Sequence, residues 1–196
     1  MTARPHPEGA RPVTSTLPHL IVVDVETSGL DPNVHDVLEV AAIDLTNGEE
    51  LYFVPTPIRA AWLQDAHPGA MKVNRYFERG VYAHQVDLET TRKRWEDLGT
   101  MLDGNILAGV NPAFDARFID AAMESHKVEC RRRYQLRDLA TYAAGVLDID
   151  PAEPTSSVDL FASLGVTNAE AHSALGDARA TADAFRLLRG GMKDRG

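Results

Sequence analysis

Leu20-Ile21-Val22-Val23-Asp24-Val25-Glu26-Thr27-Ser28-Gly29-Leu30 is the stretch from which the rest of the chain can be read. Four apolar residues open it, three of them β-branched, and Ser28-Gly29 closes it with a turn signal. That is the pattern of a buried strand. Side chains alternate across a strand, so Asp24 and Glu26 share the face of Val22. Their Cα atoms lie ~6–7 Å apart, a span over which two carboxylates share one cation or hold two. Two like charges at the rim of a core repel, and desolvating them is costly unless a cation compensates. Taken alone, the pattern is more often a solvated strand end running into a turn.

Outward from this strand, Val37 to Leu45 and Leu51 to Val54 read as two further strands joined at Asn47-Gly48, a hairpin signal. A helical stripe follows at Leu88, Thr91, Trp95, Leu98 and Leu102, spaced three and four residues apart. Asn105 to Ala108 reads as a fourth strand. Asn111 to His126 reads as a helix with Phe114, Phe118, Ala121 and Ala122 inward. Tyr134 to Leu136 is a candidate fifth strand. The last helix turns Ala174, Leu175, Ala178, Ala182, Phe185 and Leu188 to the core. The sum is an α/β domain, a mixed sheet covered by helices. The stretch from 56 to 86 has no clear period.

With 196 residues the chain suits one domain with a sizeable core. A hydrophobic content of 44% and a charged content of 25% exclude collagen-like, disulfide-dense and wholly disordered classes. One cysteine, Cys130, cannot close an internal disulfide and fits a reducing, cytoplasmic setting. No apolar run approaches the ~18 residues of a membrane span, and the N-terminus lacks a signal-peptide apolar region. Residues 1–18 carry four prolines and almost no aliphatic residues, so they are expected to be a disordered leader. The folded domain is expected at 19–190 and a flexible tail at 191–196.

Two more acidic stations follow. Asn111-Pro112-Ala113-Phe114-Asp115 opens a helix, with Pro112 suited to its first turn and Asn111 to its cap. His172-Ser173-Ala174-Leu175-Gly176-Asp177 opens the last helix. Five residues at about 100° each separate His172 and Asp177 by about 140°, so His172 is expected on the preceding loop, free to swing. Each station has an ordinary structural reading. Together, four carboxylates and a histidine meet at a strand end, a helix start and a loop–helix junction. Oxygen-only ligands favour Mg²⁺ or Mn²⁺ over Zn²⁺. Four carboxylates balance two divalent cations, the charge of a two-metal phosphoryl-transfer centre. A histidine can take a proton from the attacking water at neutral pH.

These three motifs resemble the DEDD 3′–5′ exonuclease superfamily, in its DnaQ-like branch with a catalytic histidine. The resemblance spans about residues 20–189. It implies a ribonuclease H-like fold with a central five-stranded mixed sheet flanked by helices. It also implies two divalent cations and release of nucleoside 5′-monophosphates from a 3′ end. By position, Asp24, Glu26, Asp115 and Asp177 would be the metal ligands and His172 the general base. Ser173 stands where the branch with tyrosine would carry it. Thr27, Gly29 and Leu30 would lie against the terminal nucleotide, with Asn111 and Phe114 nearby. Leu30 and Phe114 also read as ordinary core residues. Three positions depart from the pattern: Ser28 replaces a common Thr, Val110 a frequent His, and Ser173 a frequent Arg. The segment from Ala66 to Asn74 does not match the usual substrate-contacting loop.

The chain carries 20 basic and 29 acidic residues, a net −9, so long-range attraction to a polyanion is not built in. Residues 117–137 are an exception, with Arg117, Lys127, Arg131, Arg132, Arg133 and Arg137 against three acids. Lys72, Arg75, Arg79 and Arg92-Lys93-Arg94 form a second cluster. Either could neutralise phosphates or be a solvated surface. The expected partner is a single-stranded 3′ end with a short footprint, and a polymerase or repair protein in trans is a further candidate. The leading expectation is an exonuclease on single-stranded DNA or frayed 3′ ends. The alternatives are an exoribonuclease trimming RNA and a non-catalytic nuclease-like binding module.

Overall fold

In the computed structural model, which describes residues 17–150, 152–153 and 155–193, the opening stretch forms β1 (Leu20–Thr27). It is followed by β2 (Val37–Asp44) and β3 (Glu50–Phe53). The β2–β3 turn uses Gly48 at φ +78° and a bond from the Glu49 amide to Asn47 Oδ1, 2.8 Å. Two short helices, α1 (Trp62–Asp65) and α2 (Pro68–Asn74), and a 3-10 turn over Val81–His84 precede α3 (Leu88–Leu102). The remainder runs β4 (Ile106–Gly109), α4 (Pro112–Ser125), β5 (Leu136–Asp138), α5 (Leu139–Leu147), α6 (Ser157–Leu164) and α7 (Ala174–Lys193).

The strand order is β3-β2-β1-β4-β5, antiparallel on the β3 side of β1 and parallel on the β5 side. This is the mixed five-stranded sheet expected. Both its faces are covered. Ile21, Val23 and Val25 pack on Trp95, Leu98 and Leu102 of α3 and on Phe118, Ile119 and Met123 of α4. Val22, Ala41, Ile43 and Ala108 pack on Ala178, Ala182, Phe185 and Leu188 of α7, with Leu139, Leu160 and Phe161 beside them. The alternation along β1 therefore assigns α3 and α4 to one face and α7 to the other. Small alanines along α7 let it approach the sheet closely.

Several boundaries differ from the sequence reading. β1 is not among them: it carries Asp24 and Glu26 as expected, and β2 pairs with it as far as Thr27. Leu88 is 59% exposed, since it sits at the first residue of α3 and projects past the sheet. Along α4 the buried set is Pro112, Asp115, Ala116, Phe118, Ile119 and Met123, with Ala121 and Ala122 only half-buried. β5 starts at Leu136, where its pairing with Leu107 of β4 begins, and leaves Tyr134 exposed. The irregular stretch 56–86 gains order from its own cluster, in which Tyr76 and Val81 pack with Leu38 and Val54 under Trp62 and Met71. Residues 1–16 of the expected leader lie outside the described residues. α7 reaches Lys193, past the start expected for the tail, and 194–196 lie outside the described residues. No helix among the described residues is long and apolar enough to cross a membrane.

Candidate active site

The site begins where β4 stops. β4 pairs with β1 only from Leu20 to Val22. Beyond that, the β4-facing edge of β1 is open, and the first turn of α4 fills it. Asp115 Oδ1 accepts the Val25 amide at 3.0 Å, taking the place of a strand partner. On the α7 face, Asp24 and Glu26 meet Asp177 from the first turn of α7. These three carboxylates each offer an oxygen within 4.8 Å of the others, and all three residues are half-buried. Asp115 is buried. It lies outside that trio yet near enough to act on Asp24 through its charge.

The electrostatics of this cluster are one-sided. Burial pushes the Asp24 carboxyl well above its usual range, and the charges of Asp115, Glu26, Asp177 and Glu39 push it further. Glu26 rises to about 8, first through burial and then through Asp177 and Glu39, with Arg79 opposing. Asp115 rises to about 7 through burial, against the stabilising hydrogen bond from Val25. Asp177 is raised by burial, opposed by bonds from the Asn168 side chain and the His172 amide. Like charges gathered in a partly desolvated place favour their neutral forms unless a cation is present. Such an oxygen-only donor set suits a hard divalent cation.

His172 lies on the loop before α7, as its angular separation from Asp177 requires. Its imidazole is exposed, and its backbone is hydrogen-bonded on both sides. Its φ is +63°, its amide donates to Asp177 Oδ2 at 3.0 Å, and its carbonyl accepts from Arg79 Nη1 at 2.6 Å. Ser173 starts α7: its hydroxyl accepts the Gly176 amide at 3.1 Å and donates to the Glu170 carbonyl at 2.7 Å. The loop passes so close that a Cβ on Gly176 would overlap the Glu170 carbonyl oxygen, so glycine is required there.

The remaining expected residues are distributed around the open end of β1. The Thr27 hydroxyl donates to the Gly29 carbonyl at 2.6 Å, and the Thr27 carbonyl accepts from Asn74 Nδ2 at 3.0 Å. Gly29 lies under the His35 ring, which leaves no room for a Cβ. Leu30 is 65% exposed, which removes its core reading. Phe114 is half-buried against Phe118, ring centroids 4.9 Å apart, so it has one face in the core and one edge out. Asn111 stands before α4 but makes no side-chain cap. Its left-handed backbone, φ +54°, turns the amide group away, and its own N–H donates to Asp138 Oδ1 at 3.0 Å.

Two residues around the cluster escaped the sequence reading, and a third has a different role from the one read there. Glu39 of β2 is buried and directly opposite Glu26 on the ladder. Its signal was a lone charge within the apolar run Val37 to Ile43. Asn168 hydrogen-bonds Asp177 Oδ1 and had no signal. Arg79, read as part of a basic cluster that could neutralise phosphates or be a solvated surface, instead holds Glu39. Much of the other basic excess is likewise engaged: Arg92 pairs with Glu96, Arg94 with Asp97, Arg131 with Glu129 and Arg132 with Asp120. A cleft of about 520 Å³ opens beside Asp24, His172 and Asp177, walled by Val158, Phe161 and Val166.

The chain has relatives among known proteins. The family model RNase_T, described as an exonuclease, matches residues 21–185. Ribonuclease T of Vibrio parahaemolyticus is 29% identical over 179 residues, covering 84% of this chain and 82% of its own. Ribonuclease T of Buchnera aphidicola is 25% identical over 177 residues, with coverages of 84% and 79%. Among solved structures, E. coli exonuclease I in complex with a dT13 oligonucleotide superimposes with a TM-score of 0.67 at 19% identity, over 91% of this chain and 43% of that one. A moderately thermophilic exonuclease I from Methylocaldum szegediense gives 0.63 at 21% identity, with coverages of 89% and 41%. The chain thus spans about two fifths of the exonuclease I chains it matches, and the likeness is one of fold.

Proposed function

Because the chain belongs to the RNase_T exonuclease family, the DnaQ-like 3′–5′ exonucleases of the ribonuclease H-like superfamily, we propose that it trims single-stranded DNA or frayed 3′ ends to nucleoside 5′-monophosphates. The observation that carries this reading is the convergence of Asp24, Glu26 and Asp177, each offering an oxygen within 4.8 Å of the others.

Asp24, Glu26 and Asp177, with Asp115 behind Asp24, would hold two divalent cations, Mg²⁺ or Mn²⁺. Bound there, such cations supply Lewis-acid activation and neutralise charge on the scissile phosphate. His172 takes a proton from the attacking water. Its imidazole is exposed toward the cleft while its amide is fixed to Asp177, so the base is held against the acidic cluster. Leu30 and the open edge of Phe114 offer apolar contact to the terminal base. Thr27 and Gly29 bring backbone to the terminal sugar. Asn111, exposed at the start of α4, stands beside them.

A second reading is supported by the names of the sequence relatives: an enzyme similar to ribonuclease T would trim RNA 3′ tails. Partnership with a polymerase or repair protein in trans belongs to the first reading. The decisive experiment uses 3′- and 5′-labelled single-stranded DNA and RNA oligomers, with Mg²⁺ or Mn²⁺ restored after chelation. A one-nucleotide ladder receding from the 3′ end is expected, and the faster substrate decides between DNA and RNA. No product on any 3′-ended oligomer with either metal would return the chain to the binding-module class. His172→Ala is expected to lower kcat by roughly 10²-fold or more with metal affinity retained.

A further inference from the structure

We propose that Arg79 is a positioning residue for His172, clamping the carbonyl of the histidine loop to a buried carboxylate on the sheet. The inference rests on the reading of His172 as the base.

Arg79 lies between α2 and the 3-10 turn, and its side chain is 23% exposed. Nη2 donates to both oxygens of Glu39, at 2.8 and 2.7 Å. Nη1 donates to the Asn74 carbonyl at 2.9 Å and to the His172 carbonyl at 2.6 Å. One guanidinium thus joins three segments distant in sequence. Its anchor is firm, because Glu39 is buried in β2 and also accepts the Tyr52 hydroxyl at 3.0 Å. The planar fork of arginine can make all these bonds at once, which a lysine ammonium cannot do with the same fixed geometry.

What the clamp fixes is a strained point of backbone. A left-handed conformation is unfavourable for a residue with a Cβ and persists where its surroundings impose it. At His172 the imposition comes from both sides: the amide is tied to Asp177 and the carbonyl to Arg79. The imidazole is exposed, and among the described residues nothing hydrogen-bonds its ring, so the backbone sets where it can reach. Removing the Arg79 bond frees one of the two peptide planes. The acidic cage and the sheet are then no longer linked through the histidine.

The test is a double-mutant cycle. Arg79→Met with Glu39→Gln removes the clamp without leaving Glu39 charged and alone in the core. On a short 3′-ended oligodeoxynucleotide, kcat is expected to fall ten- to hundredfold with KM within threefold, since misplacing a reacting group by ~1 Å costs roughly 10²-fold. In a His172→Ala background the same pair is expected to cost less than a further threefold, because a missing imidazole cannot be misplaced. Amide hydrogen exchange at His172 and Ser173, measured without added metal, is expected to accelerate at least tenfold while β1 and β2 exchange as before. Losses that multiply in the His172→Ala background, or unchanged loop exchange, overturn the clamp and leave the base reading standing. Unchanged kcat in His172→Ala alone overturns the base reading first, and the clamp with it.

Discussion

Glu26 and Glu39 face each other across the β1–β2 ladder, and the fold treats them in opposite ways. Glu39 is buried, gripped by both oxygens in the Arg79 fork and bonded by Tyr52. Glu26 is half-buried among Asp24 and Asp177, and its carboxyl rises to about 8. A carboxylate that serves the fold is given a cation by the chain. One left among like charges is strained in the ionised form, and that strain is relieved by taking up a proton or by a cation from outside. The difference separates a structural acid from a candidate metal ligand more sharply than burial does, since Glu39 is the more buried of the two.

The comparison can be broken first on the catalytic side. Asp24→Asn is expected to abolish metal-dependent hydrolysis, by roughly 10³-fold or more, while the metal-free protein melts at the same temperature or higher because one repelling charge is gone. A large fall in its Tm without metal would make Asp24 a structural acid like Glu39.

Next comes the structural side. Arg79→Met leaves Glu39 buried and unpaired, and a loss of roughly 3–5 kcal/mol is expected in chemical denaturation. Glu26→Gln, at the partner position, should be neutral or stabilising in the absence of metal. Equal destabilisation by the two would erase the distinction.

A pH titration sharpens it. Raised carboxyl values mean that the folded state binds protons more tightly than the unfolded one, so metal-free stability falls as pH rises. With Asp115 at about 7 and Glu26 at about 8, the fall should extend from about pH 4 to about pH 8. Mg²⁺ or Mn²⁺ should reverse it by binding the native state alone. A metal-free Tm that climbs across this window contradicts the assignment. The smallest effect is expected at Tyr52→Phe, which removes one hydrogen bond to Glu39 and should cost about 1 kcal/mol with little change in kcat.

How much of this was legible beforehand depends on the range of the interaction. β1, β2, β3, α3 and α7 declare themselves by local period, because a strand or helix with one apolar face must bury it. Asp24 and Glu26 follow from the two-residue alternation of one strand, and the loop position of His172 from the helical angle to Asp177. The order around 56–86 is invisible locally, since it comes from Tyr76 and Val81 packing on Leu38 and Val54 rather than from any repeat. Asn111 misleads because capping propensity presumes an extended backbone, and here that backbone is left-handed. The basic runs mislead because a net charge count takes no account of pairing. Arg131 and Arg132 meet Glu129 and Asp120, and Arg79 turns inward.

The sequence by itself determined the fold class, the family resemblance and the five residues of the acidic and histidine stations. Each depends on side-chain type and on spacings of a few residues, which local geometry converts into direction. Only the tertiary structure decided that Asp115 bonds the β1 backbone at Val25 and lies outside the trio, that Leu30 faces solvent, and that Arg79 ties Glu39 to the backbone of His172. Those outcomes depend on segments tens of residues apart meeting at one place, and the separation of two residues along a chain carries no record of the direction from which they arrive.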